Sequence, residues 1–522
     1  MFMKFKSAIF LCLFISFTVA QETDYGVPVV RINTKDGAAI SSRTKYITME
    51  FSLTDPKNSA NNVSKTGFTD SIRGRGNITW TDYDKKPYRI KFDKKTSLLG
   101  LPAAKSWVLL SEPRDRTFLM NAAAFEMGRR MGMPFNHSVN HIALYLNGTY
   151  NGQYMLTEQN QVGEGRVNID KNEGWFVLLD VAEDEQPMFT SSNYNLPIAI
   201  KSPEVEPYTM TNSAYDFVKQ NINELTDSVK SANFPENGYR NLIDMATFAK
   251  YALVQEFIMN IDFGSPTSSP SGPRSLYMYK DKGAKISMGP LWDFDYGYGT
   301  SGWEGSQSDY YYFFTTYTGA VGQYAPSFFQ KLYKDPKFMH EWKKAWNRYY
   351  SQIASIPAYI DSMANYMNTS AKANFDKWKY TVGGSGGWGV GTTENVDFDA
   401  SVQEMKIWWN NRVAWFVANG GVESSAALEK EIADDIAAEE KAKEPAPILT
   451  INYGKSSGII YSNGSLNVSS QNSSTLKIFD LQGKIVMQKN LNAGNSNVKV
   501  ENLKKGVYIA KFGGEILKFN AW

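Results

Sequence analysis

Cysteine is almost missing from this 522-residue chain: Cys12 is the only one, and histidine occurs three times, at His137, His141 and His340. One thiol forms no internal disulfide, and so few soft ligands exclude a thiolate metal centre and speak against a zinc enzyme. Neither sign of charge is in excess. With 55 basic and 53 acidic residues the net charge is +2, which gives no gross electrostatic case for binding nucleic acid or a membrane surface. A long apolar run occurs only at the start. Lys4 and Lys6, the apolar residues 8–17 and Thr18-Val19-Ala20 before Gln21 read as a secretory signal peptide over 1–20, too short to be a membrane anchor. Its removal would take Cys12 and two lysines and leave 53 basic against 53 acidic residues. The expectation is an exported, soluble chain with no transmembrane segment after signal removal. No internal repeat is evident.

What the chain has is apolar and aromatic material: 42% hydrophobic and 14% aromatic residues, enough for real cores, over a length that suits roughly two to four domains. Its most informative stretch runs from 260 to 299. Residues 276–279 and 285–288 read as two short strands joined by a turn at Lys282-Gly283. Asp262 lies before this hairpin, and Asp293 and Asp295 lie after it. In an extended segment residues two apart share a face, so Asp293 and Asp295 point the same way with Phe294 opposed. Carboxylates gathered at the ends of a hairpin suit a hard cation such as Mg2+. Exposed loops also carry aspartates for no such reason, and spacing alone leaves both readings open.

In chain order, residues 25–70 alternate apolar and polar side chains between turn signals and read as strands. Arg73-Gly74-Arg75-Gly76-Asn77 is either a turn whose amides and arginines receive an anion or an ordinary turn with solvated arginines. Tyr88, Ile90 and Phe92 alternate with Arg89 and Lys91, so one face of this strand is apolar and the other carries two cations. Those cations suit triphosphate oxygens if the face lines a cleft, and water if it does not. Residues 104–111 read as a buried strand, 117–131 as a helix with an apolar stripe, 141–158 as a hairpin, 174–180 as a strand and 241–260 as a helix leading into Asn260-Ile261-Asp262.

At this point a family becomes visible. Residues about 45 to 418 resemble the CotH-type (spore coat protein H-like) atypical protein kinases. The resemblance lies in Arg73-Gly-Arg-Gly-Asn77, Lys86-Pro-Tyr-Arg-Ile-Lys91, Ser97-Leu-Leu-Gly100, Trp107-Val-Leu-Leu110, residues 121–132, Tyr145-Leu-Asn-Gly148, Tyr154-Met-Leu-Thr-Glu158, Asn260-Ile-Asp262, Tyr277-Met-Tyr-Lys-Asp281 and Gly289-Pro-Leu-Trp-Asp-Phe-Asp295. It implies an α+β, divergent kinase-like two-lobed fold with ATP and Mg2+ (or Mn2+) bound between the lobes. It also implies that Asp262 is the catalytic aspartate, Asp293 the metal-binding aspartate and Asp295 a helper at the metal. Lys91 and Glu158 are the expected nucleotide contacts, with Glu126 an alternative ionic partner for the lysine. An aspartate of ordinary pKa, near 3.9, is ionised at neutral pH and able to orient an acceptor hydroxyl.

One feature departs from the family pattern. Many members carry a metal-binding asparagine five residues beyond the catalytic aspartate, just before the Tyr-x-Tyr strand. Here that strand is preceded by Ser275, thirteen residues after Asp262, with a Ser/Pro-rich loop over 266–273 in between. Beyond the acidic pair come an aromatic patch over 309–317, a glycine-rich loop over 383–391 and an amphipathic helix over 402–418 that closes the domain. Residues 424–443 read as a helical spacer, within a linker placed at 421–447. Residues 448–522 then read as short strands of a small β-sandwich. Its motifs, residues 476–484 and 503–509 and a final strand with Lys518, resemble the C-terminal sorting domain of type IX secretion. That implies passage through the periplasm to the surface or exterior of a Gram-negative cell, with the type IX secretion machinery as a partner.

Three functions fit these features. The first is a secreted protein kinase that transfers the ATP γ-phosphate to Ser or Thr of another exported protein. The others are a kinase-like scaffold retained for surface binding or adhesion, and a nucleotidyl transferase on the same fold. The three retained acidic positions favour the first.

Overall fold

The structure is a computed structural model that describes residues 23–184, 186–203, 213–263, 273–299, 325–381, 393–419, 425–443 and most of 458–521. The expected signal peptide, the 266–273 loop up to residue 272, the aromatic patch and the glycine-rich loop lie outside the described residues. The chain divides into two compact units, 1–429 and 430–522.

The first unit opens with seven strands: β1 (Val29–Thr34), β2 (Ile47–Thr54), β3 (Val63–Gly74), β4 (Tyr88–Thr96), β5 (Ala104–Leu110), β6 (Asn140–Leu146) and β7 (Thr149–Glu158). They close into a barrel of order β1-β2-β3-β4-β5-β7-β6, sealed by parallel pairing of β1 with β6. The period-two pattern explains the barrel. Tyr88, Ile90 and Phe92 are buried in its core, where the Phe92 ring meets Phe51 edge-on at 5.1 Å, while Arg89 and Lys91 alternate with them on the opposite face of the strand. The β6–β7 hairpin turns at Asn147-Gly148, both with positive φ (47° and 78°), as a tight two-residue connection requires.

Five further strands, β8 (Trp175–Leu179), β9 (Met188–Thr190), β10 (Pro197–Ser202), β11 (Leu276–Lys280) and β12 (Ile286–Met288), form a second sheet of order β12-β11-β8-β10-β9. The expected hairpin is β11–β12, with Tyr279 opposite Ser287 and Gly283 at φ 66° in its turn. A second, larger core joins this sheet to the helices Met120–Arg130, Ser213–Lys230, Met245–Ile258, Pro336–Ala354, Ile356–Lys377 and Phe398–Ala418. Its densest part is aromatic: Phe257 lies 4.8 Å from Trp409, and Trp346 lies 4.9 Å from Phe416. Among the described residues no helix is long and apolar enough to cross a membrane.

In the second unit a three-stranded sheet (458–462, 465–470, 494–499) and a four-stranded sheet (474–479, 485–491, 506–512, 515–521) enclose one apolar core, the expected sandwich.

Candidate functional site

Helix Met245–Ile258 ends where Met259 turns left-handed (φ 58°, ψ 43°), and Asn260 N–H bonds back to the Gln255 carbonyl at 3.1 Å. The fully buried Arg412, from helix Phe398–Ala418, donates to the carbonyls of Phe257 (2.9 Å) and Glu256 (2.7 Å), and the Glu256 carbonyl also accepts from Met259 N–H at 3.2 Å. The chain is thereby fixed as it enters the single turn Ile261–Phe263 that carries Asp262. Asn260 tethers this turn to the acidic loop: its side chain accepts from Asp262 N (3.3 Å) and donates to the Asp293 carbonyl (3.2 Å). From the other side Asn121 accepts from Phe294 N at 2.9 Å and donates to Glu112 at 3.1 Å.

Asp262, Asp293 and Asp295 line one cavity of about 400 Å³. The two loop aspartates do not get there by strand alternation. Asp293 has φ 68°, and Phe294 is buried between them. The left-handed kink, a conformation that costs a non-glycine residue on the order of 1–3 kcal/mol, turns the loop into the cavity. Glu112 and Ser275, which also line the cavity, share this strained region at φ 48° and 56°. Ser275 stands directly on the acid: its hydroxyl donates to Asp293 Oδ2 at 2.9 Å, and its N–H donates to Asp180 at 3.2 Å.

The acids of the cavity are electrostatically unsettled. Burial pushes Asp262 well above the usual carboxylate range, and the Asp293 charge pushes it further, against the pull of Arg274. Burial and Asp293 likewise raise Asp295 to about 7. Asp180, absent from the sequence expectation, sits at about 6 through burial, offset by hydrogen bonds from Ala182 and Ser275. The ordinary pKa expected for Asp262 therefore does not hold: its site is too dry and too negative. One oxygen of the buried Glu112 has no hydrogen-bond partner. Arg75, Arg89, Arg114 and Arg274 line the same cavity as these acids. Arg75 lies 5.5 Å over the Trp292 ring and Arg114 3.6 Å over Tyr296.

Lys91 and Glu158 are placed elsewhere. Lys91 is exposed and lines an adjoining hollow, and it is Arg89, two residues before it on the same face, that reaches the cavity. Glu158 is buried at the end of β7. It accepts from Ser138 N–H (2.9 Å), Ser138 hydroxyl (2.7 Å) and Thr157 hydroxyl (2.9 Å), with His137 3.7 Å away. Burial pushes it up, but His137 and Ser138 outweigh that and hold it at about 2. Its link to the cavity is indirect, through His137 bonded to Asn160 (2.7 Å) and Asn160 bonded to Tyr277 (3.1 Å). Glu126, the alternative partner for the lysine, is taken by Arg129 and Arg130 of its own helix.

The cavity would fit a cation and a polyphosphate together. Among the described residues no group of three or more metal-binding side chains is gathered closely enough to hold an ion alone. Mg2+ needs only one or two carboxylates if phosphate oxygens and water complete its shell. Asp293 with Asp295 would supply the carboxylates, and arginines are suited to the phosphates.

The cleft of acids and arginines is lined from both the β-barrel and the helix-backed sheet. The chain belongs to the CotH kinase protein family, whose model matches residues 72–416. Residues 462–519 match the secretion system C-terminal sorting domain, which marks the chain for export to the surface or exterior of the cell. A search of curated proteins finds no match.

Proposed function

We propose that this protein is a secreted kinase of a divergent two-lobed fold, which transfers the γ-phosphate of ATP, with Mg2+ or Mn2+, to Ser or Thr of exported proteins. The observation that carries this reading is the convergence of Asp262, Asp293 and Asp295 on one cavity that Arg75, Arg89, Arg114 and Arg274 also line. Phosphoryl transfer requires little covalent chemistry from a protein; it requires positioning and charge neutralisation. Bound cation would supply the second of these at Asp293 and Asp295. Asp262, held beside them by Asn260 and Arg274, orients the acceptor hydroxyl and accepts its proton. Neutralising Asp293 removes the charge that most strongly opposes ionisation of Asp262, after the burial itself. Arg75 and Arg89 hold phosphate oxygens. The sorting domain at residues 462–519 supports an activity beyond the cytoplasm, with the type IX machinery of a Gram-negative cell as carrier.

A scaffold without turnover is the second reading, favoured by Ser275, whose hydroxyl already engages Asp293 where many relatives place an asparagine ligand. Incubating the purified protein with Mg-ATP or Mn-ATP and a Ser-rich acceptor, followed by intact mass, separates the readings. Gain of one phosphoryl group is expected. A nucleotidyl gain identifies the third chemistry, and no gain with any acceptor or metal leaves the scaffold.

A further inference from the structure

One short stretch of backbone, residues 273–275, ties three acids of the cavity together. The Pro273 carbonyl accepts from Val181 N–H at 3.0 Å, and Arg274 N–H donates to the Asp262 carbonyl at 2.8 Å. Ser275 donates twice, its N–H to Asp180 Oδ2 at 3.2 Å and its hydroxyl to Asp293 Oδ2 at 2.9 Å. It does so at φ 56°, strained backbone that persists only where the surroundings over-determine it. Asp180 accepts through its other oxygen from Ala182 N–H at 2.8 Å. Both of its oxygens are therefore engaged by backbone amides, which suits a group that holds its neighbours more than one that coordinates an ion. Asp293 is fixed at two points: Asn260 donates to its carbonyl at 3.2 Å, and Ser275 donates to its carboxylate. With one oxygen held, that carboxylate is a rigid ligand, hindered from turning to embrace a large ion with both oxygens.

Rigidity matters because divalent cations differ in what they need. Mg2+ demands near-ideal octahedral geometry from a few protein ligands, whereas Ca2+ takes about six to eight oxygens in flexible geometry, carboxylates often through both. Partners behind a ligand that fix its orientation contribute about 10- to 100-fold to metal affinity or activity. We propose that Ser275, with Asp180 behind it, is a positioning residue that holds Asp293 as a one-oxygen ligand and so makes the site prefer Mg2+ to Ca2+. Neither residue needs to touch the ion. The same bracket holds the Asp262 carbonyl through Arg274 N–H, so Asp262 and Asp293 are kept in one register. The inference rests on the reading of Asp293 as the cation ligand, and it does not require phosphate transfer.

Calorimetric titration of ATP into the full chain, with Mg2+, with Ca2+ and with a chelator, reads the preference as the ratio of the two metal-ATP affinities. The wild type should bind Mg-ATP at least roughly tenfold more tightly than Ca-ATP. Ser275→Gly removes the hydroxyl and accommodates a positive φ, so the fold is not threatened. It should narrow the ratio by about tenfold or more while leaving metal-free ATP binding unchanged. Ser275→Asn keeps a donor and tolerates the same backbone, and it should retain the preference. Asp180→Ala releases two amides and should narrow the ratio as Ser275→Gly does; where it fails to fold, the two Ser275 variants still decide. Equal affinity of the wild type for Mg-ATP and Ca-ATP, an unchanged ratio in Ser275→Gly, or an equal loss of metal-free ATP binding in that variant would each overturn the proposal. No gain from either ion in the wild type would overturn it together with the cation reading of Asp293. An intact preference without any phosphate transfer would refute the kinase reading alone.

Discussion

Two groups of buried carboxylates in this molecule carry opposite electrostatic signatures. Glu158 has three hydrogen bonds from its neighbours and an imidazole close by, and these hold it at about 2 despite burial. Asp262 and Asp295 are as deeply buried, but what most affects them after burial is another negative charge, Asp293, and both are raised. A carboxylate whose charge is satisfied from within contributes to the fold. A set whose charges oppose one another is costly to the fold and becomes favourable only when something from outside brings positive charge. On the proposed reading, the contrast sets Glu158, whose charge is held from within, apart from the aspartates of the cavity, which would take their positive charge from a ligand.

The sharpest break of that contrast is Asp262→Asn, which nearly keeps the shape and removes the charge. Phosphate transfer should slow by roughly 10²- to 10⁴-fold, the range for a lost general base, while Mg-ATP affinity stays within a few-fold. A calorimetric titration beside a transfer assay reads both; undiminished transfer would remove Asp262 from the chemistry.

On the structural side, Glu158→Gln should cost stability rather than activity. The folded pKa of Glu158 is depressed from 4.5 to about 2, so its contribution is present in full above about 4.5 and fades as pH falls from there toward 2. A shift of that size corresponds to about 3 kcal/mol. Denaturant unfolding between pH 3 and 7 should show the variant less stable at neutral pH and the difference shrinking in acid. Unchanged stability with weakened Mg-ATP binding would instead return Glu158 to the nucleotide site.

Lys85 gives a smaller, opposite effect. Its ammonium lies 4.7 and 4.8 Å from the rings of Phe118 and Tyr154, with no hydrogen-bond partner, and burial lowers it to about 7. The unfolded chain binds this proton more tightly, so stability rises with pH between about 7 and 10.5. Lys85→Met should therefore stabilise the protein at pH 7 by about 1–3 kcal/mol and flatten that slope. Loss of transfer in Lys85→Met without any gain in stability would show that its charge serves the cleft through Glu112.

Much of this was legible in the sequence where short-range pattern decides. The β11–β12 hairpin, the apolar face of β4, the helix before Asp262 and the terminal sandwich all follow from periodicity and turn residues. Asp262, Asp293 and Asp295 were named from their motifs, and they share a cavity. Their geometry was not legible, because a left-handed Asp293 is set by Asn260, Asn121 and Ser275 from distant parts of the chain. Asp180 was hidden for a similar reason: only the placement of β8 beside β11 brings it to Ser275. Lys91 and Arg89 share one strand face, and which of them reaches the cavity depends on the barrel's closure. Glu158 looked available because its partners, Ser138 and His137, lie in a loop some twenty residues earlier in the chain.

The central claim is that Asp293 anchors a cation that bridges to nucleotide phosphates. Calorimetric titration of ATP into wild type and Asp293→Ala, with and without Mg2+, tests it most directly. The account predicts that Mg2+ strengthens ATP binding to the wild type and that Asp293→Ala loses this dependence together with transfer. Equal Mg-ATP affinity in the two proteins, with the same gain from Mg2+, would contradict it.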